Sequence, residues 1–181
     1  AEYFVHPESM LVRLPDDMPW DLAPIAEPLT IALHGIHRGG LKAGEYAAII
    51  GAGPIGMLAA MTALAYGAEP IMIDLVEERL LQAKQLGVRY TIDLRKENAE
   101  EKVREYTGGN MAHLVMECSG ANAAVRSTLD LVCNAGRITL TGWPKNETPL
   151  PTDVITKKEV DIRGARTSAN EFEEAIRLIH S

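Results

Sequence analysis

The junction between an apolar strand pattern and an apolar helix pattern at residues 46–66 constrains the fold of this chain most strongly. It carries the motif G-x-G-x-x-G at residues 51–56. A sharp turn out of a strand needs a residue without Cβ at Gly51, bare backbone at Gly53 lets a pyrophosphate approach, and Gly56 lets the helix close onto the sheet. The N–H groups and partial positive charge of a helix N-terminus attract phosphate. The motif therefore predicts a dinucleotide-binding unit.

An acidic residue ends the next apolar run, which predicts a second strand at residues 70–74. Asp74 lies roughly 20 residues beyond the glycines, where a carboxylate accepts hydrogen bonds from both adenosine ribose hydroxyls. Its charge would repel a 2′-phosphate, and Leu75 supplies no cation to accept one, so the sequence favours NAD over NADP. Arg79 has two equal interpretations: a contact to the adenosine, or a solvated helix-face charge that pairs with a nearby glutamate.

Charge and cysteine content favour small-molecule chemistry. The formal net charge of −7 disfavours binding to nucleic acid or to an anionic membrane. We expect no signal peptide and no membrane span, because no apolar run of about 18 residues occurs. Cys118 and Cys133 lack the spacing of a disulfide framework or a thiolate zinc site. These features predict a reduced, cytoplasmic protein.

Strand and helix patterns alternate from Tyr46 to the end of the chain. Strands are predicted at 46–51, 70–74, 89–93, 113–118, 136–141 and 160–165, and helices at 28–38, 54–66, 76–87, 98–107, 121–133, 152–158 and 170–180. Six strands with intervening helices predict an α/β fold, with a doubly wound six-stranded parallel sheet of the Rossmann type.

Ligands of such a sheet lie across the carboxyl ends of its strands, so the residues that follow each strand are candidate contacts. Residues 118–120 follow the fourth strand, residues 141–143 the fifth and residues 165–168 the sixth. Small side chains there leave room for a ribose and a nicotinamide, although Ser and Gly are equally common in ordinary turns. Trp143 is either a ring-edge contact or a boundary residue.

Two features of the first predicted helix need no ligand to explain them. His34 and His37 have the i, i+3 spacing that can hold a metal, but this spacing arises often by chance, and we predict no metal site in this chain. Glu27 precedes Pro28 at the helix start, where a carboxylate complements the helix dipole.

Five motifs follow one another in a distinctive order. They are Glu27 to His34, the glycine turn of residues 51–56, Asp74 with Arg79, Glu117-Cys118-Ser119-Gly120, and Val160-Asp161-Ile162-Arg163-Gly164. Together they resemble the zinc-dependent medium-chain dehydrogenase/reductase family, nearest to its polyol (sorbitol-like) dehydrogenase branch. In that family a GroES-like catalytic domain that binds zinc precedes the dinucleotide domain.

The resemblance implies a division of the chain. Residues 1–26 resemble the last strands of the catalytic domain and a connector, and residues 27–181 resemble the NAD-binding Rossmann domain. The family's cysteine and histidine zinc ligands are absent, so we expect a cofactor-domain fragment of a longer polypeptide, with zinc bound only in the intact enzyme and no activity in the fragment.

The resemblance also implies roles for individual residues. Glu27 corresponds to a glutamate beside the catalytic zinc and its water, and the strand at residues 160–165 to an edge through which members form homodimers or homotetramers. The intact enzyme would oxidise an alcohol or polyol polarised by zinc and pass a hydride to NAD. The predicted cofactor contacts are Gly51, Gly53, Pro54, Ile55, Gly56, Asp74, Leu75, Arg79, Cys118, Ser119, Gly120, Thr141, Gly142, Trp143, Ala165 and Arg166.

Three other assignments compete with this one. A short-chain dehydrogenase would need Tyr-x-x-x-Lys, and no tyrosine of the chain has a lysine four residues later. A zinc-free quinone reductase of the same superfamily commonly prefers NADPH, which Asp74 disfavours. A non-catalytic NAD-sensing domain would carry the same turn and acid, but Glu27-Pro28 and residues 161–164 speak against it.

Overall fold

Six strands form one parallel sheet with helices on both faces. The computed structural model describes residues 2–180. The strands are β1 (Tyr46–Ile50), β2 (Glu69–Asp74), β3 (Tyr90–Asp93), β4 (Ala112–Glu117), β5 (Val132–Leu140) and β6 (Asp161–Gly164). The helices are α1 (Ala26–Gly39), α2 (Pro54–Ala65), α3 (Glu77–Gln85), α4 (Ala99–Tyr106), α5 (Asn122–Leu131), α6 (Thr152–Lys158) and α7 (Phe172–His180).

The strand order is β3-β2-β1-β4-β5-β6, and all neighbouring strands are parallel. The chain moves outward in one direction from β1 to β3, returns to β4 beside β1, and then moves outward in the other direction. A crevice opens at the carboxyl ends of β1 and β4, where the order reverses. The predicted doubly wound sheet is confirmed.

Strand side chains alternate between two buried layers, which explains why the strands read as nearly continuous apolar runs. Ile49 and Met72 face the layer that α1, α2, α3 and α7 cover. Ile50 and Ile73 face the opposite layer, which contains Val103 of α4 and residues of α5 and α6. The glycine turn thus follows directly after β1, a strand that is buried on both faces.

The predicted element boundaries differ from the observed ones by at most two residues, with one exception. The helix predicted to end at residue 133 ends at Leu131, and β5 begins at Val132 rather than at residue 136. Val132 pairs with Ala112, and the register then shifts before Leu114 pairs with Arg137. This irregularity lets the chain pass from helix to strand without a loop.

The segment before α1 is less buried than the sheet. Tyr3, Phe4 and Val5 are 91%, 84% and 96% exposed, whereas Met18 packs into the layer under α1 at 6% exposure. No helix within residues 2–180 is both long enough and apolar enough to cross a lipid bilayer.

Candidate functional site

The glycine turn joins β1 to α2 at the sheet's crevice. Gly51 has φ +103°, and a Cβ on it would lie 3.1 Å from the backbone nitrogen of Ser119. A Cβ on Gly56 would lie 1.8 Å from the carbonyl oxygen of Gly51, so only glycine lets α2 pack this closely. Gly53 differs from both, because its backbone is extended (φ −74°, ψ −177°) and no atom lies within 4 Å of its ideal Cβ position. The protein therefore leaves open space above Gly53 that its own packing does not use.

The N-terminus of α2 points into this space. Pro54 takes the first position of the helix, where its missing N–H costs nothing. No side chain of the described residues caps the helix at Gly53. Its free N–H groups and the helix dipole are therefore available to an anion, as the phosphates of a dinucleotide require.

Asp74 ties the turn to the end of β2. Its Oδ2 accepts the N–H of Ala52 at 2.6 Å, and its Oδ1 accepts the N–H of Val76 at 2.8 Å. The side chain is only 8% exposed, so its rotamer is held in place before any ligand binds. The same carboxylate can orient the turn and accept a hydroxyl group that enters beside it.

Arg79 lies beside Asp74. Its Nη1 lies 4.0 Å from Oδ2 of Asp74, and within residues 2–180 it forms no ion pair with a glutamate. The guanidinium is half exposed and borders the cavities on both sides of the turn. Arg79 is therefore positioned to contact a ligand that passes over Asp74.

A largely apolar cavity of about 530 Å³ opens beside Asp74. Its walls come from the carboxyl ends of β1, β2 and β3 and from one face of α5, and they include Ile73, Leu75, Leu94, Ala124 and Ser127. A slot with apolar walls and one carboxylate at its rim suits a flat heterocycle attached to a sugar. A second cavity, of about 430 Å³, lies over Gly53 between Pro28 of α1 and Met57 of α2.

The turns after β4 and β5 meet on the other side of Gly51. A Cβ on Gly142 would lie 2.3 Å from the nitrogen of Gly120, and a Cβ on Gly120 would lie 2.9 Å from the nitrogen and the oxygen of Trp143. Both turns therefore need glycine to fit against each other. Desolvation and the neighbouring Glu117 carboxylate raise the pKa of the Cys118 thiol, so this thiol stays protonated near neutral pH.

Trp143 and Arg166 lie together at the outer end of these turns. The guanidinium of Arg166 lies 5.0 Å from the centre of the Trp143 ring, which is a cation–π distance. Trp143 is 72% exposed, and Ala165, at the end of β6, is buried. The turns after β4, β5 and β6 thus lie together, with an outer end that is open to solvent.

The family follows from comparison with known proteins. The family model for zinc-binding dehydrogenases matches residues 54–181. The chain belongs to this family.

This chain spans about half the length of the curated relatives it matches. It is 52% identical over 178 residues to an uncharacterized zinc-type alcohol dehydrogenase-like protein of Haemophilus influenzae, covering 98% of this chain and 52% of the relative. It is 30% identical to human sorbitol dehydrogenase, covering all of this chain and 52% of that enzyme. The structure of Escherichia coli galactitol-1-phosphate dehydrogenase superposes with a TM-score of 0.90 at 28% identity, covering 99% of this chain and 55% of that one. The predicted resemblance to a polyol dehydrogenase-like family is confirmed.

Glu27 lies exposed in the first turn of α1. It borders a small cavity together with Phe172 of α7 and Leu11 of the N-terminal segment. Pro28, its neighbour, borders the cavity over Gly53. The carboxylate is thus close to the cleft but outside the glycine turn, and its proposed place beside a zinc ion stays a prediction.

The histidine pair of α1 contacts two carboxylates, that of Glu174 on α7 and that of Glu171 directly before α7. Nδ1 of His34 lies 2.9 Å from Oε1 of Glu171, and Nε2 of His37 lies 3.2 Å from Oε2 of Glu174. Tyr66 donates a short hydrogen bond to Glu174 and contacts His37. The pair therefore docks the C-terminal helix, a role that spacing within α1 could not reveal.

The described residues do not fit a zinc ion. Within residues 2–180, no group of three or more His, Cys, Asp and Glu side chains is arranged to hold a metal. A catalytic zinc needs three protein ligands and a structural zinc usually needs four.

Some residues at the site escaped the sequence analysis. Leu94 and Ser127 border the apolar cavity, although neither lies in a recognisable motif. Their positions, after β3 and on the inner face of α5, could have identified them as cavity residues, because a doubly wound sheet brings these elements to its carboxyl edge. No pattern in the sequence indicates the side-chain contacts of Glu117.

Proposed function

We propose that this chain binds NAD and forms the cofactor-binding part of an alcohol or polyol dehydrogenase. The observation that best supports this is the open space over Gly53, which borders the second cavity and faces the N-terminus of α2. A Cβ there would meet no protein atom, so the glycine is explained by a ligand that touches bare backbone. When bound, NAD accepts a hydride from an alcohol carbon while the hydroxyl proton leaves separately.

The chain's own residues would bind and orient this cofactor. The pyrophosphate would lie on the N-terminus of α2, Asp74 would accept the adenosine ribose hydroxyls beside Arg79, and the adenine would enter the apolar cavity. The turns that contain Ser119, Gly142 and Ala165 would flank the nicotinamide and its ribose. Leu75 and Leu94 would cover the adenine from the solvent side.

The alcohol or polyol substrate is proposed from relatives. Sorbitol dehydrogenase and galactitol-1-phosphate dehydrogenase are both named for polyol substrates. Because this chain spans about half the length of the curated relatives it matches, the substrate and the zinc chemistry belong to a proposal about a longer protein.

Two further proposals concern domains and assembly. We propose that residues 1–26 belong with a preceding catalytic domain and that residues 27–181 form the cofactor domain. We also propose that copies pair through β6, because β6 is an edge strand whose outer hydrogen-bonding groups have no neighbouring strand in the sheet. A monomer by analytical ultracentrifugation at high protein concentration would argue against pairing through β6.

The first test is cofactor preference, measured by titration calorimetry of the 181-residue chain with NADH and NADPH. We expect NADH to bind roughly ten- to a hundredfold more tightly, because the Asp74 carboxylate accepts ribose hydroxyls and repels a 2′-phosphate. The half-exposed Arg79 would offset part of that repulsion. Equal or tighter binding of NADPH would refute the assignment to NAD, and no binding of either would refute the proposed function.

The second test is metal content and turnover of the same preparation. We expect less than about one zinc per chain by elemental analysis, since the side chains of the described residues do not form a ligand set. We also expect no NAD-dependent oxidation of sorbitol, threonine or butanediol. Stoichiometric zinc, or turnover that co-purifies with the chain, would contradict the view that the catalytic groups lie elsewhere.

A further inference from the structure

A carboxylate with no solvent exposure lies directly beneath the turns after β4 and β5. Glu117 is the last residue of β4, and it is 0% exposed. Burying an ionised carboxylate costs several kcal/mol unless hydrogen bonds replace its water. The donors that surround Glu117 therefore indicate what this side chain holds in place.

The side chain of Glu117 accepts hydrogen bonds from the turn after β4. Its Oε1 accepts the N–H of Ser119 at 2.8 Å, the hydroxyl of Ser119 at 2.6 Å and the N–H of Gly120 at 3.0 Å. Its Oε2 lies 3.2 Å from the same Gly120 nitrogen. The Ser119 hydroxyl oxygen in turn accepts the N–H of Ala121 at 3.2 Å. One carboxylate thus holds two consecutive residues of the turn directly and a third, Ala121, through the Ser119 hydroxyl.

The backbone of the same residue holds the turn after β5. The carbonyl oxygen of Glu117 accepts the N–H groups of Thr141 and Gly142, each at 2.9 Å. A Cβ on Gly142 would lie 2.4 Å from Oε2 of Glu117. The second turn is therefore seated directly against the carboxylate, and both turns converge on a single residue.

We propose that Glu117 is a positioning residue that pre-forms the nicotinamide-flanking turns before the cofactor binds. This inference rests on the proposed function, because these turns would contact the nicotinamide and its ribose. Hydrogen bonds to a charged acceptor are stronger than neutral ones. Turns that are already ordered cost less entropy to immobilise on binding, which raises affinity.

The test compares Glu117→Gln with the wild-type chain for binding of NADH and of ADP. A glutamine has the same shape, but its NH₂ group would face an N–H donor and its remaining oxygen is uncharged. We expect the Kd for NADH to rise roughly tenfold, the effect of losing one charge-assisted bond. The Kd for ADP should rise at most about threefold, because strand ends and α5 form most of the apolar cavity; Ser119 and Ala121 border it, but Gly120 and Gly142 do not.

The control is Thr139→Val, on the neighbouring strand β5. Thr139 is also 0% exposed, but its hydroxyl has no hydrogen-bond partner among the described residues. This variant should bind NADH and ADP with unchanged affinity. If Glu117→Gln lowered the affinity for NADH and for ADP equally, this would indicate general destabilisation and overturn the proposal. Unchanged affinity for NADH would also overturn it.

A measurement on the wild-type chain covers the case in which Glu117→Gln fails to fold. In amide hydrogen exchange without ligand, Ser119, Gly120 and Gly142 should exchange far more slowly than the exposed loop residue Lys145. Exchange as fast as that of Lys145 would show that the turns are not pre-formed. If the wild-type chain bound neither NADH nor ADP, the proposed function would fail and this role with it, even if those amides were protected.

Discussion

The two halves of the cleft differ in how completely this chain builds them. The half beside β1, β2 and β3, which contains the glycine turn, Asp74 and the apolar cavity, is enclosed by strand ends and by α5. The half above β4, β5 and β6 consists of three turns, and its outer end carries the 72% exposed Trp143. We call these the adenosine half and the nicotinamide half, after the parts of NAD that we propose each would bind.

Because of this difference, we expect the adenosine half to contribute most of the free energy of cofactor binding by this chain. The adenosine half has buried walls and a carboxylate fixed by the N–H groups of Ala52 and Val76. The nicotinamide half is ordered by polar contacts, from Glu117 beneath it and from the docking of α7 beside it. A hydrophobic slot keeps its shape through packing, whereas turns held by hydrogen bonds depend on each donor and acceptor.

The largest effect should come from blocking the adenosine half with Gly53→Val. The valine side chain would occupy the open space over the turn, so NADH and ADP should both bind more than about a hundredfold more weakly. The melting temperature should stay within about 2 °C of wild type, since the backbone is extended and no protein atom lies nearby. Calorimetry and thermal unfolding measure the two quantities.

Two companion variants sharpen this test. Gly53→Ala adds one methyl group and should cause an intermediate loss of affinity. Met61→Val changes a 41% exposed residue of the same helix and should leave binding unchanged. Normal NADH binding by Gly53→Val at an unchanged melting temperature would show that the phosphates lie elsewhere. The proposed difference between the two halves of the cleft would then be wrong.

A smaller effect should come from Glu171→Gln, which weakens the contacts between α7 and α1 beside the nicotinamide half. Glu171 is 5% exposed and follows directly after the loop of residues 165–170. Desolvation raises the pKa of its carboxyl group, but hydrogen bonds from His34 and from the Ala169 N–H outweigh it and lower that pKa below its ordinary value. The ionised form therefore stabilises the docking of α7 on α1.

The sign of this contribution follows from the lowered pKa. A carboxyl group whose pKa is lower in the folded state adds stability above its unfolded pKa, and this stability is lost as the pH falls through the folded value. We expect Glu171→Gln to reduce the free energy of unfolding by about 1 kcal/mol at pH 6 and by less below pH 4. Glu173→Gln, an exposed neighbour on α7, should leave it unchanged. Urea unfolding at several pH values measures the difference, and identical pH profiles for wild type and Glu171→Gln would contradict the docking role.

Local patterns were sufficient to predict most of the adenosine half. The glycines of residues 51–56 and Asp74 are explained by backbone geometry close in sequence, and the structure places them where the motif indicates. Alternating apolar runs also predicted the six strands, because burial on both faces of a parallel sheet leaves a clear sequence signal. The end of α5 was misplaced, since Val132 and Cys133 are apolar in a helix pattern and in a strand pattern alike.

The nicotinamide half depends on contacts that local patterns do not encode. His34 and Glu171 are 137 residues apart, and their meeting depends on α7 packing against α1. The motif that ends in Ser119 and Gly120 reads equally well as an ordinary turn, and nothing in it indicates that Glu117 has no exposure.

The sequence alone determined that this chain builds a doubly wound sheet with a glycine turn at its crevice, because strand periodicity and glycine geometry act over a few residues. Only the tertiary structure decided which space over that turn stays open, which carboxylates are buried and which helices the histidines join. Those properties depend on distances between elements that are far apart in the chain. They are set when the whole sheet and its helices pack together.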